Sequence, residues 1–422
     1  MAEQDGAQPT QARSVVRTLA IATAATVISV MPVFLTGALA PELRRDLAFS
    51  ATGIGLAVSG FRLSGVIFGR RLGRLADTYG AIRSLRLGTF IAGVGALAVA
   101  LLARDLRVLI LLLFVTGAGQ ALVQPAANRL ILHRIPLRRQ GAAFGLKQSA
   151  PPTASLIAGL SLPLIGLTLG WRWGFALVPA LALLVILLIG PPPAQPLRTE
   201  SSGAEAAGRP SSGMIVILMI SFGLGTSAAT TLPAFYVDAA VRTGTEARTA
   251  GALLAAASLC AIAVRIMAGL ASDRLVRGHM RLAGGLLAAG SVGILLLASG
   301  TPRFMSVGII LGLAGAWGFN GVFWYALMRA YPSSPGTTTG AVAPGGLIGG
   351  ILGPTTFGLI VDVSGYRAAW FLSTLLALAS ASAMIFVARK LEDLRQQALS
   401  DERDEGGRST EVERPVDPDD PV

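Results

Sequence analysis

The sequence predicts an all-α membrane protein in which twelve transmembrane helices form two pseudo-symmetric six-helix bundles, with both termini in the cytoplasm. Its 422 residues are 53% hydrophobic and only 14% charged, whereas soluble domains are about 25% charged. Apolar stretches long enough to cross a bilayer recur along the whole chain, and the two halves of the chain share a repeat. These three observations together indicate the fold class.

The composition also limits the classes of function. A single Cys excludes a disulfide framework and a Cys-based metal site, and two His leave little for a His-ligated one. We therefore expect no metal and no cofactor. In a soluble protein the net charge of +12 would suggest nucleic acid. Here we expect a lipid bilayer and no nucleic acid, because the cytoplasmic loops of membrane proteins collect Lys and Arg.

Twelve stretches meet the requirement of roughly 20 apolar residues for a membrane-spanning helix. In the first half of the chain they are residues 17–40, 51–68, 84–102, 108–132, 141–165 and 173–190. In the second half they are residues 214–237, 247–268, 282–298, 304–330, 338–361 and 370–388. Most connections are short, so spans adjacent in sequence are expected to be antiparallel neighbours.

Five segments follow from this division of the chain. Residues 1–16 form a polar cytoplasmic tail, 17–190 the N-terminal bundle, 191–213 a flexible cytoplasmic linker rich in Pro and Ser, 214–390 the C-terminal bundle, and 391–422 an acidic disordered cytoplasmic tail. With both termini inside, only nine of the 35 Lys and Arg fall in outer loops. This bias predicts a multi-pass protein of the cytoplasmic (inner or plasma) membrane.

An internal repeat relates the two halves. A shift of about 196 residues places GRLAD (73–77) over GLASD (269–273), and a shift of 195 places GWR (170–172) over GYR (365–367). Two structural halves related by duplication are a common plan of transporters, in which the substrate site lies near the bilayer midplane between the halves.

The repeated segments resemble the loop signature of the major facilitator superfamily. Gly73-x-x-x-Asp77-x-x-Gly80-x-x-Arg83, in the loop after the second span, is similar to the first copy, and Gly269-x-x-x-Asp273-Arg274 to the second. The resemblance covers about residues 15–390. It implies a central cavity and alternating access, and it implies that these seven residues gate the cytoplasmic side in the outward-open state.

Departures from the family's usual patterns indicate which subfamily the chain resembles. Basic residues are usual where this chain has Thr78 and Ala81, which should weaken the first-half gate. Typical proton-driven drug antiporters carry an Arg before the Gly117-x-Gly119 pattern of the fourth span, and residues 111–116 contain none. By contrast, Arg265-x-x-x-Gly269 resembles the substrate-binding Arg of monocarboxylate and oxalate carriers, so the chain resembles organic-anion or cyanate-type permeases.

Three cations lie deep within predicted spans, away from the span ends, and no acidic residue lies inside any span. Arg62 is central in the second span, Lys147 lies in the fifth, and Arg265 in the eighth. Because a charge at bilayer depth costs at least about 2.5–3.5 kcal/mol, such residues tend to face a cavity and mark a pathway. We expect these three side chains to bind an anionic substrate that supplies the missing counter-charge. Alternative roles remain open: Lys147 could snorkel to the cytoplasmic surface, and Arg265 could be a structural partner of the adjacent loop.

Polar and aromatic side chains add further candidate substrate ligands. Gln120 and Gln124 share one face of the fourth span, and Trp317, Asn320 and Trp324 share one face of the tenth. An apolar wall with a few polar groups is typical of a small-ligand site. Packing between helices is the alternative for both sets.

Glycines at every fourth residue predict close helix contacts. They are Gly65, Gly69 and Gly73 in the second span and Gly345, Gly349 and Gly353 in the eleventh. Pro151, Pro152 and Pro163 should bend the fifth span.

The sequence therefore favours a secondary transporter, expected to be a monomer, for a small organic anion, with either a coupling proton or a counter-substrate. The alternative is an exporter of neutral or amphipathic compounds, as in drug efflux. No nucleophile elbow or phosphate-binding loop occurs in the predicted cytoplasmic segments, so we expect no enzyme and no self-contained ATP-driven pump.

Overall fold

The computed structural model describes residues 7–136, 143–189, 211–275, 277–331 and 335–412, and these segments form helices joined by short turns. The helices of the first half are α1 (Ala7–Ala38), α2 (Ala40–Leu47), α3 (Ala51–Tyr79), α4 (Ala81–Leu102), α5 (Leu106–Arg134), α6 (Ala150–Ser161) and α7 (Trp171–Ile189). Those of the second half are α8 (Ser212–Arg242), α9 (Ala247–Arg274), α10 (His279–Leu297), α11 (Pro302–Ala330) and α12 (Pro335–Val412).

Ten of these helices are long and apolar enough to cross a membrane, which confirms a multi-pass membrane protein. One of the ten, Thr338–Asp393, has 56 residues, and a helix of that length would measure about 84 Å, against a bilayer core of about 30 Å. Gly365 divides it, because its φ of 82° and ψ of 172° are not helical. The predicted spans 338–361 and 370–388 lie on either side of this break.

The predicted fifth span is not one continuous α-helix. Residues 143–147 are helical, residues 148–149 form a turn, α6 follows with 12 residues, and Leu162–Gly166 is π-helical. Prolines account for the breaks, because Pro151, Pro152 and Pro163 have no backbone N–H to continue the hydrogen-bond ladder. The α-helical ladder resumes where Thr153 N donates to Ser149 O at 3.0 Å.

Both ends of the chain are more helical than the sequence predicted. Helix α1 begins at Ala7, inside the predicted tail 1–16, and the backbone of α12 continues to Val412, well into the predicted disordered segment 391–422. Residues 391–412 contain no Pro and are rich in Leu, Glu, Arg and Gln, which are good helix formers, so local propensity favours this extension. Most of the predicted linker 191–213 lies outside the described residues.

The two halves meet along helix pairs that are equivalent under the repeat, α3 with α12 and α6 with α9, and α1 also packs against α8. We call the end of the molecule that carries Asp77 and Asp273 the motif end, and the end that carries Asp238 and Asp362 the latch end. Near the latch end the backbones almost touch. A Cβ added at Gly55 would lie 2.2 Å from the Pro354 carbonyl oxygen across the interface.

Toward the motif end the halves separate. Apart from the helix's own backbone, no heavy atom of the described residues lies within 4 Å of a Cβ built at Gly69, Gly145 or Gly269. The molecule is therefore closed between its halves at the latch end and open at the motif end.

The two glycine series consequently differ. Gly345, Gly349 and Gly353 pack against the α8 backbone, as predicted. The packing prediction for Gly65, Gly69 and Gly73 is wrong for this arrangement, because no atom approaches their Cβ positions. The sequence spacing is the same in both helices, and only the separation of the halves distinguishes them.

Candidate functional site

Arg62 and Arg265 contact the opposite half, whereas Lys147 contacts its own half. None of the ion pairs between described residues includes Arg62, Lys147 or Arg265. The structure therefore agrees with the expectation that these charges lack a carboxylate partner within the described residues. What each cation contacts instead is different in every case.

Arg62 projects from the middle of α3 toward Gly350 of α12, in the other half. A Cβ added at Gly350 would lie 3.1 Å from Arg62 Cδ and 3.3 Å from both Nε and Nη1. The buried Nε has no hydrogen-bond partner among the described residues. A guanidinium carries five donors, so this group can still bind an anion.

Lys147 is held by amide side chains of α5. It is buried, and its ammonium group donates to Gln124 Oε1 and, at 2.9 Å, to Asn128 Oδ1. These contacts turn the ammonium group toward α5. The structure thus brings together Lys147 and Gln124, two of the predicted substrate ligands.

Asn128 was not among the predicted substrate ligands. The signal for it was present in the sequence, because Gln120, Gln124 and Asn128 are spaced by four and share one face of α5. These three residues form a polar stripe, and each is half-buried.

Along the helix axes, the polar stripe extends from the level of Arg62 to the level of Lys147. Gly117 of α5 packs against Phe61 of α3, with an added Cβ 2.1 Å from the Phe61 carbonyl oxygen. Gln124 lies seven residues beyond Gly117, or about 10 Å closer to the motif end. Arg62 and Lys147 are therefore separated by roughly 10 Å along the helix axes, with Gln120 at an intermediate depth.

Arg265 is bound by backbone carbonyl groups. Its Nε donates to Trp317 O at 2.8 Å in its own half, and Nη1 donates to Gln148 O in the other half. The guanidinium also lies 5.9 Å from the centre of the Trp317 ring. Two of its five donors are thus taken by the protein itself.

The aromatic residues of α11 pack between helices. The Trp317 indole donates to Ala229 O at 3.1 Å and lies edge-on to Phe34 of α1, with ring centres 5.5 Å apart. Trp324 lies 4.7 Å from the Phe222 ring of α8. These contacts agree with the packing alternative for the two tryptophans, while Asn320, on the same face, is half-buried.

The residues predicted to gate the cytoplasmic side lie at helix ends and not in a loop as predicted. Gly73 and Asp77 are in the last two turns of α3, Gly269, Asp273 and Arg274 are in those of α9, and only Gly80 interrupts the helix, with φ of 83°. The spans were predicted too short because the basic residues after position 68 ended the apolar pattern.

The motif end carries no ion pair between the halves among the described residues. Asp77 pairs with Arg129 of α5 at 2.6 Å, and both residues belong to the first half. Arg83, Asp273 and Arg274 are exposed, and no ion pair between described residues includes them. This agrees with the open gap at that end.

The latch end joins the halves through two carboxylates, of which Asp238 is buried and Asp362 is exposed. Asp238 of α8 accepts from Arg44 of α2 at 2.5 Å, from Arg242 at 3.2 Å and from the Tyr366 hydroxyl. The sequence placed Asp238 just outside a span, whereas it lies one turn inside α8 and is 3% exposed.

The second carboxylate at the latch end, Asp362 of α12, caps the start of α3. It accepts from Ala51 N at 2.9 Å and from Thr52 N at 2.8 Å. An acidic group at a helix N-terminus satisfies free N–H groups and complements the helix dipole. Neither contact between the halves could be read from the sequence.

A third acidic group stabilises the first half alone. Asp46 in α2 accepts from Trp171 Nε1 at 2.9 Å and from Arg172 Nη1 at 2.6 Å. The hydrogen bond from Trp171 and the one from Arg172 hold the pKa of Asp46 below its ordinary value. The carboxylate is therefore ionised at neutral pH and fastens α2 to α7.

No group of three or more His, Cys, Asp or Glu that could hold a metal ion occurs in the described part of the chain. The two halves of membrane-crossing helices pack along equivalent helix pairs, and polar side chains lie between the helices. This arrangement is that of multi-pass membrane transport proteins. The sequence profile of the Major Facilitator Superfamily matches residues 22–354. The chain belongs to this family, which confirms the resemblance of its glycine and aspartate motifs.

Similar proteins include a transporter, a probable transporter and an antibiotic resistance protein. Over 381 residues, covering 82% of this chain and 88% of the relative, the chain is 24% identical to a probable sulfoacetate transporter of Cupriavidus necator. It is 28% identical to a hexuronate transporter of Bacillus subtilis over 150 residues, which are 35% of each chain. It is 32% identical to a lincomycin resistance protein of Streptomyces lincolnensis over 148 residues, 34% of this chain and 28% of that protein.

Solved structures show the same fold. A bacterial homologue of the human lysosomal transporter Spinster, in an inward-facing and occupied conformation, matches with a TM-score of 0.69 and 15% identity, over 88% of this chain and 96% of that one. The inward-facing and unoccupied conformation gives the same TM-score over 92% and 98%.

Proposed function

We propose that this protein is a secondary transporter that moves a small organic anion across the cytoplasmic membrane by alternating access. The observation that carries the proposal is Arg62, whose guanidinium lies between the halves with a buried Nε that no described residue accepts from. An uncompensated cation at bilayer depth is costly. An anion bound there would supply the missing acceptors and the opposite charge.

The contacts of the other candidate residues separate proposed substrate ligands from residues of the wall. Lys147 adds a second cation about 10 Å from Arg62 along the helix axes, and Gln120, Gln124 and Asn128 supply amide groups along α5. Asn320 completes the polar set from the other half. Arg265, Trp317 and Trp324 are already engaged with the protein, so we assign them to the wall of the site.

The topology that we propose has twelve spans and both termini in the cytoplasm. The break at Gly365 divides the longest apolar helix into two spans, and residues 143–166 form the remaining one despite their interruptions. The bundles are then residues 17–190 and 214–390, joined by the linker 191–213. With the motif end cytoplasmic, the structure corresponds to the state open to the cytoplasm, and Gly73, Asp77, Gly80, Arg83, Gly269, Asp273 and Arg274 gate that side in the opposite state.

The relatives support an anionic substrate. The probable sulfoacetate transporter matches over most of the chain, and the hexuronate transporter over about a third of it. The proposal includes a monomer that exchanges the anion with a counter-substrate or moves it with a proton.

Uptake into proteoliposomes tests this proposal. The purified protein is reconstituted and assayed with labelled sulfoacetate, a hexuronate and short monocarboxylates and dicarboxylates, as wild type, Arg62→Gln, Arg62→Lys and the control Arg303→Gln, whose side chain is exposed at the start of α11. We expect uptake of at least one anion, loss of about 90% or more in Arg62→Gln, partial activity in Arg62→Lys, and wild-type activity in Arg303→Gln. Uptake that Arg62→Gln leaves unchanged would show the proposed site to be wrong.

The second candidate function is export of neutral or amphipathic compounds. The aromatic packing of Phe222, Trp317 and Trp324 and the match to the lincomycin resistance protein favour it. A deletion strain that becomes sensitive to antibiotics, together with no anion uptake by the reconstituted protein, would support export in place of anion transport.

A further inference from the structure

Helices α6 and α9 meet in a seam whose contacts repeat every two turns of α9. At the latch-end side, a Cβ added at Gly159 would lie 2.8 Å from the Gly251 carbonyl oxygen. Next, the Ser258 hydroxyl donates to Ser155 Oγ at 2.9 Å. Third, Arg265 donates to Gln148 O. Residues 251, 258 and 265 are seven apart, so they lie on one face of α9.

The seam ends at Arg265. Gly145 and Gly269 lie further toward the motif end, and no heavy atom of the described part of the chain, other than each helix's own backbone, lies within 4 Å of a Cβ built at either. The contact between Arg265 and Gln148 is thus the last one before the halves separate. It is also a charged hydrogen bond that joins the two halves.

The carbonyl group that Arg265 uses is free because of a proline. In a continuous helix, Gln148 O would accept from the N–H of residue 152, but residue 152 is Pro and has none. The neighbouring bonds are present, since Gln148 N donates to Phe144 O at 2.9 Å and Thr153 N donates to Ser149 O at 3.0 Å. The helix therefore lacks the hydrogen bond that residue 152 would donate to Gln148 O, and Arg265 donates to that carbonyl oxygen instead.

The other contact of Arg265 fixes its direction. Nε donates to Trp317 O at 2.8 Å within the second half, while Nη1 reaches the first half. The guanidinium is a rigid planar fork, so one anchored nitrogen orients the others. Lys would have a single nitrogen and could not hold this geometry.

We propose that Arg265 and the Gln148 carbonyl form a tether that holds the two halves together where the α6–α9 seam ends, and that Pro152 is the positioning residue that makes this carbonyl available. The tether sets how far the halves separate toward the motif end. It acts on the conformation of the protein and holds for whatever compound is transported.

Spin-label distances test the tether. Labels at Leu146→Cys and Leu270→Cys, both exposed side chains beyond the last contact, report the separation of the halves in a Cys260→Ser background. Pro152→Ala restores the N–H that competes for Gln148 O. Pro151→Ala is the matched control, because the N–H gained at residue 151 would donate to Lys147 O and not to Gln148 O. Distances are measured by double electron–electron resonance on the purified full-length protein.

We expect Pro152→Ala and Arg265→Gln each to increase the widely separated population about tenfold relative to the wild type, as the loss of a charged hydrogen bond would. Pro151→Ala should match the wild type. In the Arg265→Gln background, Pro152→Ala should add nothing, because it acts through Arg265.

Three results would overturn the tether: a wild-type distribution for Pro152→Ala, equal effects of the two proline substitutions, or a Pro152→Ala effect that persists without Arg265. If Pro152→Ala does not fold, Arg265→Lys tests the same bond without altering α6. A wild-type distribution in that variant also contradicts the proposal. Anion uptake is not part of this readout, so its outcome is independent of the proposed substrate.

Discussion

At the scale of single residues, three buried cations of the same charge have three different sets of partners. Arg62 has no acceptor for its Nε, Lys147 has two neutral amide oxygens, and Arg265 has two backbone carbonyls. Arg62 is the one of the three whose buried Nε lacks an acceptor among the described residues, so we expect an anion to gain most there. The sequence could place all three within spans, but it could not distinguish their roles.

Lys147→Gln tests the second cation, with Lys390→Gln as its control. Lys390 is the only other Lys in the chain and is exposed near the end of the described side chains. A hydrogen bond to a charged group contributes about 1.5–3 kcal/mol, so we expect kcat/KM for anion uptake to fall about 10- to 100-fold in Lys147→Gln. Lys390→Gln should behave as wild type in the same proteoliposomes. Equal rates in the two variants would remove Lys147 from the site.

At the scale of helices, α3 and α12 carry the same glycine spacing and use it differently. Gly349 lies against the α8 backbone, with an added Cβ only 2.0 Å from the Gly223 carbonyl oxygen. Gly69 has no atom near its Cβ position. Pairs within one half are packed in every state of a rocking transporter, whereas pairs between the halves close only in one. We infer that the α3 glycines are contact positions of the opposite state.

Gly349→Ala should destabilise the fold. The added methyl group meets backbone and not a flexible side chain, and overpacking of this kind costs about 1–3 kcal/mol. The control is Gly285→Ala on the exposed face of α10, where no atom lies within 4 Å. There the change should be neutral or stabilising by up to about 1 kcal/mol, because Ala favours a helix over Gly. Thermal unfolding in detergent measures both, and equal melting temperatures would contradict the packing.

At the scale of the whole molecule, the charges at the two ends account for the observed arrangement. At the latch end, the pair of Arg44 with Asp238 joins the halves, and Asp362 caps α3 from the other half. At the motif end, the Asp77–Arg129 pair stays within one half. The state closed at the latch end is thus stabilised by contacts that must break for the other state to form.

Asp238→Asn should shift the protein toward the state that is open at the latch end. The amide keeps a hydrogen bond but loses the attraction to Arg44 and Arg242, and each 1.4 kcal/mol lost changes the ratio of states tenfold. We expect faster maleimide labelling of Ser59→Cys in a Cys260→Ser background, because Ser59 is buried where α3 meets Ile351 of α12.

Glu42→Gln is the matched control for the latch experiment. Glu42 pairs with Arg45 within α2, so this ion pair does not join the halves. Its labelling rate should equal that of the wild type. A labelling rate for Asp238→Asn that is no faster than that of Glu42→Gln would mean that the pair with Arg44 does not control the opening.

The sequence by itself determined the membrane class, the repeat, the family motifs and the intramembrane cations, because these follow from hydropathy and local spacing. The tertiary structure decided what could not follow from them. It decided that Arg265 bonds to a carbonyl freed by Pro152, that Lys147 is held by Gln124 and Asn128, and that Asp238 joins the halves. These contacts join side chains of different helices, and those of Arg265 and Asp238 also cross the interface between the halves. Local sequence patterns carry no record of which helices the tertiary fold brings together.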